Sequence, residues 1–201
     1  MSGVKRVVLF GTESTGKSTL AAALAEEFGE PWAREFVREY WDRRNGVIEA
    51  QDLGVIARGQ IANEETAALR AGRVLICDTD LLMNVRWADE LFPGNCATWV
   101  RQAADRRAQN YALYLFCEPD VAWEEDPQRS FSDAASWLAS AERCRSMLTE
   151  RGLPWVSIRG QEDGRRQGAI AAVRRILGEP GVGGEFRVQL SGEGIDAPSP
   201  G

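Results

Sequence analysis

Nine residues, GTESTGKST (11–19), stand between the apolar run RVVLF (6–10) and the segment STLAAALAEEFG (18–29), and this junction constrains the fold more than any other part of the chain. RVVLF, with two β-branched valines and Gly11 behind it, reads as a buried strand. In the next segment Leu20, Leu24 and Phe28 recur at i, i+4 and i+8 ahead of Gly29, the pattern of a helix packed on one side and closed by a glycine. A strand that ends in a glycine loop and restarts as a helix lets the backbone N–H groups of residues 13–18 converge at a helix N-terminus, where an anion is favoured. Gly11, Gly16, Lys17 and Ser18 satisfy G-x-x-x-x-G-K-[ST]. In that pattern glycines permit close backbone approach, the lysine reaches β- and γ-phosphates and the hydroxyl ligates Mg²⁺. The expected cradle for a Mg²⁺–nucleotide is Gly11, Glu13, Ser14, Thr15, Gly16, Lys17, Ser18 and Thr19, with Ser18 on the metal.

The rest of the chain alternates strands with helices. RVLICDTD (73–80), YALYLFCEPD (111–120) and LPWVSIRG (153–160) read as further strands, and PWAREFV (31–37) as a strand edge leading into a helix. Residues 51–71, about 134–149 and GAIAAVRRILG (168–178) read as helices. Such alternation implies an α/β fold, a three-layer sandwich of the P-loop NTPase type with a central parallel sheet covered on both sides. The polar insert WEEDPQRSF (123–131) is expected to form a short lid carrying Arg129, which also suits a solvated surface charge. Residues 1–178 are expected to form one domain. Residues 179–201, dominated by Gly, Pro and scattered charge, are expected to be a disordered tail.

Composition removes several function classes. There is no histidine, which excludes a Ser-His-Asp triad, a histidine base and histidine-ligated metal and leaves proton transfer to carboxylates. A formal charge of −6 argues against a nucleic-acid partner and for a small-molecule one. Cys77, Cys96, Cys117 and Cys144 lie far apart, as buried reduced thiols would. No secretory leader and no run of apolar residues long enough for a membrane span is visible, so a cytoplasmic protein without a membrane partner is expected. Among 24 basic residues only Lys5 and Lys17 are lysine. A chain that otherwise uses arginine has kept a slim point charge where one must fit beside phosphates.

The strand VLICD surfaces at Asp78, at the carboxyl edge of a parallel sheet where ligands bind. Asp78 is expected to hold Mg²⁺, and Asp80, two residues on, to face the same way. Either acid also suits a helix N-cap. No asparagine is followed by lysine, so the NKxD segment of a GTPase is missing, and the chain is short for a motor ATPase. A small-molecule kinase fits best, with Arg129 offsetting charge during phosphoryl transfer.

GTESTGKSTL, WAREFVREY, CDTDLL and WEEDPQRSF, in this order, resemble the ribosylnicotinamide kinase domain of the NadR family, a P-loop kinase group often labelled AAA-type ATPase, over most of residues 4–177. The resemblance implies transfer of the γ-phosphoryl of ATP to the 5′-hydroxyl of nicotinamide riboside, in NAD salvage. It gives Glu35 the role of proton acceptor, with Asp78 or Asp80 as the rival base. Arg34 and Arg38 fall near phosphate or ribose, a position equally suited to an ion pair with Glu35 or Glu39. Trp32 is cast as the stacking partner of the base, or else as core packing. Two departures stand out. The DNA-binding and adenylyltransferase segments of larger members have no counterpart, and the helix at 51–71 offers no second aromatic, leaving Gln60 or Asn63 to supply polar contacts that would suit a different base or a non-nucleoside. A nucleoside monophosphate kinase, with Arg34, Arg38, Arg58 and Arg129 facing a second phosphate, and a non-transferring ATP-binding regulator both stay open.

Overall fold

The computed structural model describes residues 3–120 and 133–179. The lid expectation, with Arg129, and all but the first residue of the tail expectation lie outside them. Five strands, β1 (Lys5–Phe10), β2 (Trp32–Ala33), β3 (Val74–Asp78), β4 (Leu113–Cys117) and β5 (Trp155–Ile158), form one sheet in the order β2-β3-β1-β4-β5, parallel throughout. Seven helices cover it: α1 (Lys17–Phe28), α2 (Phe36–Arg43), α3 (Leu53–Ala68), α4 (Leu81–Leu91), α5 (Thr98–Ala108), α6 (Ala134–Glu150) and α7 (Glu162–Leu177). The expected α/β sandwich is the observed one.

Strand alternation divides the interior in two. Val7, Leu9, Val74, Ile76, Leu113 and Leu115 face Leu20 and Leu24 of α1 and Ile170 and Val173 of α7. Val8, Phe10, Leu75, Cys77, Tyr114 and Phe116 face the other side, against Leu81, Leu82 and Val85 of α4, Val100 and Ala104 of α5, and Ala141, Cys144 and Leu148 of α6. Edge-to-face rings run through this second core, with Phe10 and Tyr114 centroids 5.6 Å apart, and Tyr111 and Tyr114 likewise 5.6 Å apart. All four cysteines are buried and free, as expected. Among the described residues no helix is long and apolar enough to cross a membrane.

Two helices were missing from the expected set. α4 carries an apolar face of Leu81, Leu82, Val85 and Ala88 with Arg86 buried beside it, whereas α5 buries mostly alanine, at 103, 104 and 108, and shows no strong apolar stripe. The strand edge at PWAREFV shrinks to two residues before α2 begins.

The loop after β1 depends on one glycine. Gly11 has φ +136°, and a Cβ there would stand 2.8 Å from the carbonyl oxygen of Cys117, at the end of the neighbouring strand. Replacing Gly11 by alanine should lower the midpoint of thermal unfolding by about 2–12 °C, because strain of roughly 1–3 kcal/mol moves it by about 2–4 °C per kcal/mol in a domain of this size. Scanning calorimetry measures it, and an unchanged midpoint would show that β1 and β4 separate at no cost.

Candidate functional site

The loop after β1, the start of α2 and one face of α4 border a cleft of about 880 Å³. Its lining is of two chemical kinds. Gly11, Glu13, Ser14, Gly16, Lys17, Ser18 and Thr19 bring the phosphate loop, and Glu35 and Arg38 stand with them. Trp41, Ile48, Leu53, Ile56, Met83, Trp87, Leu91 and Phe92 supply an apolar, aromatic wall.

The carbonyls of the loop are held from behind. Trp137 Nε1 donates to the Glu13 carbonyl at 2.8 Å and Arg165 donates to the Thr15 carbonyl at 2.9 Å. A trans peptide points its N–H opposite to its C=O, so the amides of Ser14 and Gly16 are turned away from α6 and α7, toward the cleft that both residues line. Ser14 at φ +61° and Gly16 at φ +76° are the left-handed positions that make this turn. Lys17 is buried, with its Nζ 2.5 Å from the Thr12 carbonyl, and Thr15 Oγ1 donates to the same carbonyl at 2.9 Å.

Asp78 ends β3 with 2% of its surface exposed, and its Oδ1 has no hydrogen-bond partner among the described residues. Burial raises its pKa, as does the nearby Glu35 carboxylate. A hydrogen bond from the Ser18 hydroxyl and the charges of Lys17 and Arg38 offset part of this. For Arg38, burial opposes the charge, but Glu35, Asp78 and Glu13 outweigh it and hold its pKa above the usual value. Glu35, Asp78, Ser18, Lys17 and Arg38 therefore form one electrostatic group. Glu35 itself is tied to Arg38, Nε to Oε2 at 2.8 Å, with its side chain 12% exposed.

Several expected substrate residues go elsewhere. Thr79, between the two acids, has φ +71°, so strand alternation stops at Asp78 and Asp80 does not turn the same way. Asp80 caps α4, Oδ1 accepting from Leu82 N at 3.1 Å and Met83 N at 3.4 Å, and its Oδ2 accepts from Tyr114 at 2.7 Å. That is the N-cap alternative. Trp32 packs on the core beside α1, with the Arg34 guanidinium 5.1 Å from its ring centroid, and neither lines the cleft. Gln60 Oε1 accepts from Phe36 N at 2.9 Å and Asn63 donates to the Arg34 carbonyl at 3.3 Å, so both serve the backbone before α2 instead of a ligand.

The aromatic wall was missed from sequence. Its aromatic rings come from α2 and from α4 with its following residue, while α3 adds only the aliphatic Leu53 and Ile56, and a signal exists: Met83, Asn84, Trp87 and Leu91 recur on one helical face directly after the acidic strand.

A family model described as an AAA domain matches residues 6–165. Over 183 residues the chain is 27% identical to the trifunctional NAD biosynthesis/regulator protein NadR of Salmonella typhimurium, taking in 89% of this chain and 44% of that protein. It thus spans less than half the length of that relative. A crystal structure of NadR protein in complex with NR has a TM-score of 0.72 at 23% identity, covering 89% of this chain and 53% of that one. Shikimate kinase from Acinetobacter baumannii in complex with shikimate has a TM-score of 0.52 at 16% identity, covering 87% and 94%. The family resemblance read from the motifs is borne out, and the structural likenesses are likenesses of fold.

The two acids after Cys77 differ in what titration does to the fold. Burial pushes the pKa of Asp80 up to about 7, with Tyr114 and the α4 amides opposing and Glu64 adding to it. Between the ordinary carboxylate range near 4 and about 7, the folded chain keeps a proton that the unfolded chain releases, so stability falls as pH rises through that window. Asp80→Asn keeps a capping oxygen and removes the charge. In magnesium-free buffer the excess of its unfolding midpoint over the wild type should grow by several degrees from pH 5 to pH 8, about 2–4 °C for each kcal/mol. Parallel curves across this range would show that Asp80 does not titrate there.

Proposed function

The chain belongs to the AAA domain family, and on that premise we propose that it is an ATP-dependent small-molecule kinase acting on the 5′-hydroxyl of a nucleoside, with nicotinamide riboside the leading acceptor. The observation that carries this reading is that one cleft is lined both by the phosphate loop and by Glu35, Trp41 and Trp87. A switch or a motor has no need of an acceptor wall, whereas a planar base has use for tryptophan faces.

In this reading ATP lies with its phosphates on the amides of residues 13–18 and on Lys17. Glu35 takes the proton of the acceptor hydroxyl, the hydroxyl oxygen bonds to the γ-phosphorus, and the bond from that phosphorus to the β,γ-bridging oxygen breaks, releasing ADP. Lys17 offsets charge on the phosphoryl oxygens. Ser18 Oγ and the Asp78 carboxylate, whose Oδ1 is buried without a partner, are hard oxygen donors that fit Mg²⁺, which would supply further charge neutralisation there. Arg129, outside the described residues, is proposed as a further charge on the transferring group.

The charges of the cleft bear on the acceptor. Glu13, Glu35 and Asp42 stand against Lys17 and Arg38, and Arg38 is already paired with Glu35. Arg34 lies over Trp32 and Arg58 over Trp99, at 5.5 Å, so two of the arginines that a nucleoside monophosphate kinase would turn on a second phosphate are placed elsewhere. A neutral or cationic nucleoside suits this cleft better than a monophosphate.

ADP release from Mg-ATP, followed with nicotinamide riboside and with a panel of nucleosides and nucleoside monophosphates, decides between these readings. Nicotinamide riboside should stimulate strongly, and Lys17→Ala and Asp78→Ala should each lose about 100-fold or more of the stimulated rate. Preference for a monophosphate would overturn the acceptor class. Tight ATP binding with no stimulation by any acceptor would leave a regulatory ATP-binding protein. Trp87→Leu should raise the KM of the acceptor by roughly 3–10-fold, the value of a lost aromatic contact, and leave the KM of ATP unchanged. An equal rise in both would place Trp87 outside the acceptor subsite.

A further inference from the structure

Glu35 occupies the N-cap position of α2, with φ −62° and ψ 113°, and yet makes no side-chain capping bond. Residues at this position ordinarily turn an oxygen back onto the second or third amide of the helix. The first amide, Phe36 N, beyond the usual reach of that side chain, donates to Gln60 Oε1 at 2.9 Å, a side chain from the middle of α3. One orphan donor at the helix start is thus satisfied by another element, right beside Glu35, and the Glu35 carboxylate lines the cleft and holds Arg38.

The orientation of the Gln60 amide is fixed by what lies behind it. Glu64, with 0% of its surface exposed, is an acceptor that already receives Tyr111 OH and Arg107 NH2, at 2.7 and 2.8 Å. It also receives Gln60 Nε2 at 3.4 Å, so the NH2 end of Gln60 faces Glu64 and the carbonyl end faces Phe36 N. Two neighbours complete the grip. A Cβ at Gly59 would stand 2.2 Å from Phe36 Cε1, so the Phe36 ring rests where only a glycine leaves room, and Asn63 holds the Arg34 carbonyl. Gly59, Gln60 and Asn63 therefore grip the residues on both sides of Glu35.

We propose that Gln60, with Gly59 beside it, is a positioning residue that caps the first amide of α2 and so fixes the turn that keeps the Glu35 carboxylate available to the acceptor hydroxyl. The catalytic half of this rests on the kinase reading above; the capping half rests on geometry alone.

Three measurements test it. In a crystal structure of Gln60→Met the turn at residues 34–36 should shift and the Glu35 carboxylate should leave its place beside Arg38; a carboxylate that stays in place overturns the proposal. Glu35→Ala, which needs no folded Gln60 variant, should leave the unfolding midpoint within about 2 °C of wild type, since its side chain is not the cap, and a fall of about 4 °C or more would make Glu35 the cap and overturn the proposal. Gln60→Met should lower kcat by about tenfold or more with the KM of ATP within about twofold, and in a Glu35→Gln background it should cost less than about twofold further, because both changes remove one function. Additive losses overturn the positioning role. Should the wild type show no acceptor-stimulated turnover, the kinase reading and the catalytic half fall together, and the structure and the unfolding midpoints still decide the cap.

Discussion

Arg165 reaches the phosphate loop from the side away from the cleft, and the placement of the loop on the sheet depends on it. Its guanidinium donates to the carbonyls of Thr15 at 2.9 Å, Glu118 at 2.5 Å and Gly160 at 2.7 Å, and pairs with Asp120. One buried side chain thereby joins α7, the end of β4 and the segment after β5 to the loop after β1. Only a planar fork of donors reaches several acceptors from one position, and a buried cation is tolerable because each face of it is met by a carbonyl or carboxylate. From α6, Trp137 takes the Glu13 carbonyl and Ser140 Oγ lies 2.7 Å from Thr12 Oγ1, with Arg86 of α4 donating to that same Ser140 oxygen at 2.6 Å. Two helices distant in sequence, α6 and α7, set the direction of the loop amides, and the elements they bond hold them there. Anion binding here is a property of the assembled sandwich as much as of the nine-residue motif.

What could be read from sequence was what is local. β1, the loop and α1 are specified by consecutive residues, and the core strands by apolar runs that need no partner to be recognised. The DTD segment marks where local reading ends. Alternation predicts that Asp78 and Asp80 share a face, but the left-handed Thr79 breaks it, and two identical side chains part: Asp78 keeps an unpartnered oxygen while Asp80 spends both of its own on α4 and Tyr114. Threonine rarely adopts such a φ, so nothing in the triplet announces it.

Tryptophans show the same limit from the other direction. Trp32, expected as a stacking partner or else as core packing, sits in a strand beside Ala33, and the pleat sends it to the α1 side of the sheet, away from the strand ends. Trp41 shares a helical face with Val37 and Arg38, and Trp87 shares one with Met83 and Asn84; all six line the cleft. Their spacing was visible. What was missing was the tertiary fact that α2 and α4 border the same space after the strands end.

The many arginines of the chain finally bear on what the cleft can admit. Among the described residues, several are committed to the protein itself: Arg86 to Glu90 and Ser140, Arg107 to Glu64, Arg145 to Glu118, Arg165 to backbone carbonyls and Asp120. Among the described residues that line the cleft, the basic ones are Lys17 and Arg38, against three acids. With three acids against two bases, that lining carries an acidic excess. On the kinase proposal, like-charge opposition would cost an anionic acceptor what it spares a neutral or cationic one, and discrimination needs only that difference. An arginine-rich chain can build an acidic cleft when many of its cations hold the protein together instead of facing the ligand.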